Sequence, residues 1–189
     1  MRNDNFQSKE MITSWYRRSL SNKGSPCSFG TFDRFIALWI SFNGFYVWEL
    51  YSEAKGSCGN GEPTDYHFIK AIREKDEYKE IYITLLKNRS YSYLIAGFFD
   101  LLNGNSFVTH FKGRVADLRH PNSETKATKF DDINNFSQFI GVVYQIRCNL
   151  FHGNKSIDNE SDLKLVEGII EPFQNFVKEV YLATGYLNE

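Results

Sequence analysis

The scarcity of proline is the feature that most constrains the fold of this chain. Only four prolines occur in 189 residues, and the segments between them repeat apolar side chains with the period of an α-helix. No segment alternates apolar and polar residues between hairpin turns, as a half-buried β-strand would. The sequence therefore predicts an all-α fold, most simply a helical bundle.

Turn-forming stretches rich in Gly, Asn and Ser divide the pattern into separate helices. The predicted helices, of which the fifth has the least regular pattern, cover residues 6–20, 32–53, 63–88, 91–102, 106–120, 131–151 and 161–183. Asp131 or Asp132 is expected to cap the sixth helix, and Pro172 is expected to kink the last one or divide it in two. We divide the chain into an N-terminal helix with its loop, residues 1–31, and a helical domain, residues 32–189.

Charge and cysteine usage exclude several classes of protein. With 22 Lys and Arg against 23 Asp and Glu, the formal charge is −1, which excludes a protein that coats nucleic acid by bulk charge but not one that binds a few phosphates. Cys27, Cys58 and Cys148 are widely spaced and are expected to be free thiols in a reducing cytosol. The first residues lack a signal-peptide run, and the most apolar window, 35–50, is interrupted by polar residues. We therefore expect a soluble, cytoplasmic chain with no membrane span.

Two polar residues lie on apolar helical faces. Arg147 falls in the middle of the apolar face of the helix that ends near residue 151, and burying an arginine without partners is costly. It is either a structural arginine that anchors a carboxylate or carbonyl groups, or an arginine that binds phosphate with its planar set of donors. Asn43 lies among the apolar residues of the helix over 32–53, where it either joins an internal hydrogen-bond network or positions the region around Arg147.

Histidines and basic residues supply the other candidate functional groups. His152 follows Arg147 by five residues and precedes Gly153, so it is expected at the helix C-terminus, where the helix dipole favours an imidazolium suited to acid–base chemistry. The remaining histidines lack the spacing of a metal site, and phosphate-loop, dinucleotide-binding and serine-hydrolase motifs are missing from the sequence. No metal or cofactor is predicted. A local basic patch is either a solvated helix face or a guide for an RNA backbone, and consists of Lys112, Arg114, Arg119 and His120.

The segment IRCNLFHG, residues 146–153, resembles the signature of the HEPN superfamily. That signature is an arginine, four to six arbitrary residues and a histidine near the end of a helix, and four residues separate Arg147 from His152 here. The aromatic run FIALWISFNGFY, residues 35–46, is similar to an early helix of some members. The resemblance implies a bundle of four to five main helices with short additional ones.

The resemblance also implies a metal-independent endoribonuclease whose site forms at a homodimer interface. In that mechanism the ribose 2′-OH attacks the adjacent phosphate and leaves a 2′,3′-cyclic phosphate. His152 would act as general base or acid, Arg147 would bind the scissile phosphate, and Asn149 would orient the phosphate or the histidine. Many members belong to toxin–antitoxin, phage-defence or RNA-processing systems, so RNA and an antitoxin protein are the expected partners.

Two other functions stay open at this point. Cys148 directly follows the arginine, where catalytic members often carry a polar side chain, and a thiol is a weak hydrogen-bond donor. This difference favours a non-catalytic module that binds RNA or nucleotides or that dimerises. A third hypothesis is a structural protein in which Arg147 and Asn43 are polar core residues with satisfied hydrogen bonds.

Overall fold

The computed structural model describes residues 2–21, 28–104, 111–151 and 160–188 of the chain. The all-α prediction is confirmed, because eight α-helices make up most of these residues: α1 (Arg2–Ser21), α2 (Ser28–Glu49), α3 (Tyr51–Ser57), α4 (Asp65–Glu74), α5 (Asp76–Leu86), α6 (Arg89–Gly104), α7 (Phe136–Phe151) and α8 (Glu160–Ala183). A small antiparallel ladder pairs β1 (Arg114–Val115) with β2 (Thr128–Lys129), in the register Arg114 to Lys129 and Val115 to Thr128.

Aromatic rings fill the space between the two central helices, α2 and α8. Phe42 of α2 meets Phe173 of α8 edge to face, with ring centroids 5.3 Å apart, and lies 6.3 Å from Phe176. Helix α1 packs against α2, whereas α5, α6 and α7 all pack against α8. Each fully buried ring contributes on the order of 2 kcal/mol of hydrophobic stabilisation, so α2 and α8 organise the bundle.

Two predicted helices are each interrupted by a single residue. The helix predicted over 32–53 ends at Glu49, and α3 begins at Tyr51. The helix predicted over 63–88 is divided at Lys75, whose extended backbone (φ −79°, ψ 108°) separates α4 from α5. One residue redirects the chain while the apolar period continues on both sides, and hydrophobic periodicity does not register such a break.

The helix predicted over 106–120 is wrong for its described part, residues 111–120. Gly113 has φ +66°, and a Cβ atom there would lie 2.7 Å from Oδ1 of Asn103. The amide of Gly113 donates to the carbonyl of Leu102, and its carbonyl accepts from the amide of Phe130. The chain therefore turns at Gly113 and enters β1 instead of continuing as a helix, since a left-handed residue ends a helix. Residues 105–110 lie outside the described residues.

The ends of the last two helices also differ from expectation. The N-cap of α7 is Asn135 and not Asp131 or Asp132, because the amide of Gln138 donates to Oδ1 of Asn135 over 3.0 Å. Helix α8 runs without a break from Glu160 to Ala183 with the buried Pro172 inside it, so it is not divided in two.

Helix α1 shares the core of the rest of the bundle. Ile12 and Tyr16 belong to the same buried cluster as the rings of α2 and α8, and the division at residue 31 stays a prediction. Within the described ranges, every helix is too short or too polar to cross a bilayer. Cys58 and Cys148 are free thiols, and Cys27 lies outside the described residues.

A buried polar network joins α1, α2 and α8. Arg34 of α2 donates to the carboxylate of Glu171 over 2.6 Å, to the carbonyl of Ser19 over 3.2 Å and to Oε1 of Gln174 over 3.3 Å. The amide nitrogen of Gln174 in turn donates to the hydroxyl of Ser19 over 3.0 Å. Because these groups are mostly removed from water, the network fixes how the three helices pack against one another.

Replacing Arg34 with Met should destabilise the fold. The change leaves Glu171 and Gln174 without their guanidinium partner, and breaking a buried ion pair in this way costs about 3 kcal/mol of unfolding free energy. Urea unfolding followed by circular dichroism measures the loss. The matched control is Arg17→Met on the exposed side of α1, which should change stability by less than about 0.5 kcal/mol. Equal losses in the two variants would contradict the role of the network.

Candidate functional site

Arg147 lies one turn before the end of α7, and its guanidinium packs against the beginning of α4. One of its terminal nitrogens is 3.2 Å from the carboxylate of Asp65, and 20% of the Arg147 side chain is exposed. Asp65 is the first residue of α4 and follows the N-cap Thr64. The exposed amides of a helix N-terminus favour a carboxylate at that position, which is also where Arg147 meets it.

Three aromatic rings surround the same guanidinium. Its central carbon lies 4.8 Å from the ring centroid of Phe151, 5.6 Å from that of Trp39 and 6.0 Å from that of Tyr144. Such contacts attract a cation to the faces of the rings. Among the described residues, the buried Nε of Arg147 has no hydrogen-bond partner. The position of Arg147 is therefore set by one ion pair and by aromatic packing.

Asn43 reaches this region through Tyr46. The side-chain amide of Asn43 donates to the hydroxyl of Tyr46, one turn further along α2. Burial raises the pKa of Tyr46 well above its usual range, the charge of Asp65 raises it further, and Arg147 opposes that shift. The charges of both Asp65 and Arg147 therefore act on the hydroxyl of Tyr46. Asn43 is linked to this region by its hydrogen bond to that hydroxyl.

Asn149 faces a different environment from Arg147. Two residues along a helix rotate the side chain by about 200°, which takes Asn149 to the opposite side of α7. Its buried oxygen accepts from the amide of Leu118 over 3.2 Å and from Gln145 over 3.0 Å, and its nitrogen donates to the carbonyl of Ala116 over 2.8 Å. Asn149 therefore attaches the loop after β1 to α7, and the structure does not bring it to the guanidinium of Arg147.

Cys148 is buried beside Tyr144. Its sulfur is 3.9 Å from a terminal nitrogen of Arg147, a weak contact. Burial raises the pKa of Tyr144 well above its usual range, and the neighbouring Cys148 adds to this shift. The thiol therefore lies close to both Arg147 and Tyr144.

The basic patch lies on a turn, a strand and a loop, and half of its members are paired. Arg119 donates to Asp117 through two nitrogens, over 2.9 and 2.8 Å, and Arg114 lies 3.4 Å from Glu124. Lys112 and His120 are exposed. The two ion pairs reduce the net positive charge that this patch presents.

His152 lies outside the described residues, so its distance from Arg147 stays a prediction. The residue before it, Phe151, ends α7 and is 48% exposed. The ring of Phe151 is one of the three that contact the guanidinium of Arg147.

Sequence reasoning missed two charged residues that contact α7. Asp65 could be predicted in part, because Pro63 and Thr64 mark a helix start, where an acidic residue is common. Its pairing with Arg147 could not be predicted from the residues near it in sequence. For Arg73 of α4 no sequence pattern indicated a role. Its side chain is half-buried, and its Nε donates to the carbonyl of Ser137 over 2.9 Å. Burial lowers its pKa.

The site can bind an anion without a metal. A guanidinium has five donors in a plane, and Asp65 occupies only part of that set, so a phosphate oxygen can still be bound from the exposed side.

Neither a protein-family model, nor a curated protein, nor a solved structure matches the chain.

Replacing Asn149 with Ala should destabilise the fold. The change leaves the carbonyl of Ala116 and the amide of Leu118 without their partner, which costs about 2 kcal/mol of unfolding free energy. Urea unfolding measures the loss, and Asn134→Ala, at an exposed loop position, is the matched control. Unchanged stability in Asn149→Ala would show that the loop does not depend on this side chain.

The stability of the chain should depend on the ionisation of Asp117. Hydrogen bonds from Arg119 hold the pKa of Asp117 below its ordinary value of 3.8. A lowered pKa stabilises the fold above the ordinary value, and that contribution is lost as the pH falls through the lowered pKa. The stability difference between wild type and Asp117→Asn, measured by urea unfolding, should therefore shrink on acidification below about pH 4. In an Arg119→Gln background the backbone amide of residue 119 still donates to Asp117, so the stability difference at neutral pH should be reduced but not abolished. A stability difference as large as that in the wild-type background would contradict this assignment.

Proposed function

We propose that the chain is a metal-independent endoribonuclease of HEPN type that cleaves single-stranded RNA with Arg147 and His152. The observation that carries the proposal is the guanidinium of Arg147, held at the end of α7 by Asp65 and three rings with 20% of its side chain exposed. A preorganised cation of this kind can stabilise charge that develops on a phosphate during the reaction.

The proposed reaction uses the RNA's own hydroxyl group as nucleophile. His152 removes the proton from the ribose 2′-OH, the 2′-oxygen forms a bond to phosphorus, and the bond from phosphorus to the 5′-oxygen of the next nucleotide breaks. That oxygen takes up a proton, so the products are a 2′,3′-cyclic phosphate and a 5′-hydroxyl. Arg147 donates hydrogen bonds to the non-bridging oxygens as their charge increases.

Asp65 acts in this proposal as a positioning residue. It binds one side of the Arg147 guanidinium and leaves the donors on the other side for phosphate. The same ion pair offsets the cost of burying most of the arginine side chain when no RNA is bound.

The active form in this proposal is a homodimer in which two α7 C-termini meet. An exposed phenylalanine, Phe151, supports this arrangement, because its ring would leave water when the two copies associate. By its resemblance to defence-type HEPN proteins, the nuclease acts in a toxin–antitoxin or phage-defence system with an antitoxin protein as partner. We place it in the cytoplasm, where Cys58 and Cys148 would stay reduced.

A second candidate function is a non-catalytic module that binds RNA or nucleotides, or that dimerises. It is favoured by the contacts of Asn149, whose amide is used by the 116–118 loop and by Gln145 and not by a phosphate site. The buried thiol of Cys148 adds no strong donor beside Arg147.

Cleavage of RNA in the presence of EDTA tests the proposal. The wild type should cut a labelled single-stranded RNA and leave 2′,3′-cyclic phosphate ends, whereas a 2′-O-methyl RNA should stay intact. His152→Ala should lower the rate about 10² to 10⁴-fold, and Arg147→Ala about 10² to 10³-fold. Arg17→Ala, on the exposed side of α1, is the matched arginine control and should cleave like the wild type.

The outcome also separates the two candidate functions. Cleavage that is equal in the wild type and in both site variants would overturn the assignment of Arg147 and His152. RNA binding without cleavage, weakened by Arg147→Ala, would support the binding module instead. Light scattering at tens of micromolar should show a dimer, and a monomer would contradict the proposed shared site.

A further inference from the structure

Helices α4 and α7 pack antiparallel, and each end of their contact holds an arginine. At one end Arg147 of α7 pairs with Asp65 of α4, and at the other Arg73 of α4 donates to the carbonyl of Ser137 in α7. Beside Arg73 lies Gly141, where a Cβ atom would be 2.3 Å from a terminal nitrogen of Arg73. The glycine therefore lets the guanidinium lie directly against the backbone of α7.

Arg73 differs from the other arginines that pack into the described part of the fold. Arg34, Arg114 and Arg147 each pair with a carboxylate, whereas Arg73 has no acidic partner among the described residues. Within the part of the chain that the structure describes, the hydrogen-bond acceptor of its half-buried guanidinium is the carbonyl of Ser137. Partial removal of a cation from water is unfavourable without a counter-charge, so an incoming anion gains more here than at a paired arginine.

Two tyrosines lie along the same contact. Tyr66 is 66% exposed, and Arg73, seven residues later, lies two turns further along the same face of α4. Tyr144 lies on α7 between Gly141 and Arg147, half-buried, with its ring 6.0 Å from the Arg147 guanidinium. Cations that alternate with accessible rings form the usual surface for single-stranded nucleic acid, because phosphates bind the cations while bases stack on the rings.

We propose that the α4–α7 contact is a binding track for single-stranded RNA, in which Arg73 binds a phosphate and Tyr66 stacks on a base. The placement of this phosphate beside the scissile one rests on the function proposed above. Gly141 and Arg147 are six residues apart on α7, which is about 9 Å along the helix. Arg73 therefore binds a neighbouring phosphate and not the one that is cleaved.

The first test measures binding without cleavage. The probe is a fluorescent 2′-O-methyl RNA of about ten nucleotides, which blocks the nucleophile and falls within the usual site size for single strands. Arg73→Gln should weaken binding severalfold and lower the slope of log K against log salt by about 0.7, the value for one lost phosphate contact. Arg17→Gln, at an exposed position on α1, should leave both quantities unchanged.

Conservative variants separate binding from packing. Arg73→Lys keeps the charge but loses the Nε donor to Ser137, so it should retain most of the affinity. Tyr66→Phe should bind like the wild type, and Tyr66→Ala should bind about tenfold more weakly through the loss of stacking. Thermal unfolding of each variant verifies the fold. A binding loss in Arg73→Lys equal to that in Arg73→Gln would overturn the phosphate contact.

The second test compares substrates of different length. A dinucleotide has one phosphodiester and cannot reach Arg73, so Arg73→Gln should leave its cleavage unchanged while raising KM for the longer RNA. If the wild type cleaves RNA but Arg73→Gln changes neither affinity nor KM, the track is wrong and the nuclease proposal stands. If Arg73→Gln weakens RNA binding by a protein that does not cleave, the track stands and the nuclease proposal fails.

Discussion

The other helices of the bundle pack around the aromatic contact between α2 and α8. Trp39 of α2 belongs to this aromatic core and also contacts Arg147 at the candidate site. The ring of Trp39 lies 6.2 Å from that of Phe173 in the core and 5.6 Å from the central carbon of the Arg147 guanidinium. Because a buried indole is held by many contacts at once, the Trp39 ring against which Arg147 packs is held in one position. The guanidinium is thus placed by the same packing that stabilises the bundle.

Charge compensation decides where the arginines of this protein lie. Arg34 meets Glu171 inside the bundle, Arg114 meets Glu124 beside β1, and Arg147 meets Asp65 at the start of α4. A guanidinium can leave water only where a carboxylate or carbonyl replaces its hydration. Arg73 has no carboxylate partner within the described ranges, where it donates to the carbonyl of Ser137, and this difference favours its surroundings as a place for an external anion.

Part of the candidate site could be predicted from the helical pattern alone. The position of Arg147 within an apolar face required either an internal carboxylate or a ligand, and Asp65 provides the first without using all of its donors. Asp65 itself could not be found, because it is far from Arg147 in sequence and is brought there by the packing of α4 on α7. The resemblance implied that Asn149 orients the phosphate or the histidine, whereas its side-chain amide is hydrogen-bonded to the loop at 116–118.

The sequence by itself determined the helical class, most of the helices and the need of Arg147 for a partner, because these follow from local period and from the cost of burying a charge. The break at Lys75, the turn at Gly113 and the choice of Asn135 as the cap of α7 were decided only in the tertiary structure. In each case a local pattern allowed more than one continuation. At Gly113 a residue distant in the chain took part in the choice, because the amide of Phe130 donates to the carbonyl of Gly113 and keeps that backbone group bonded.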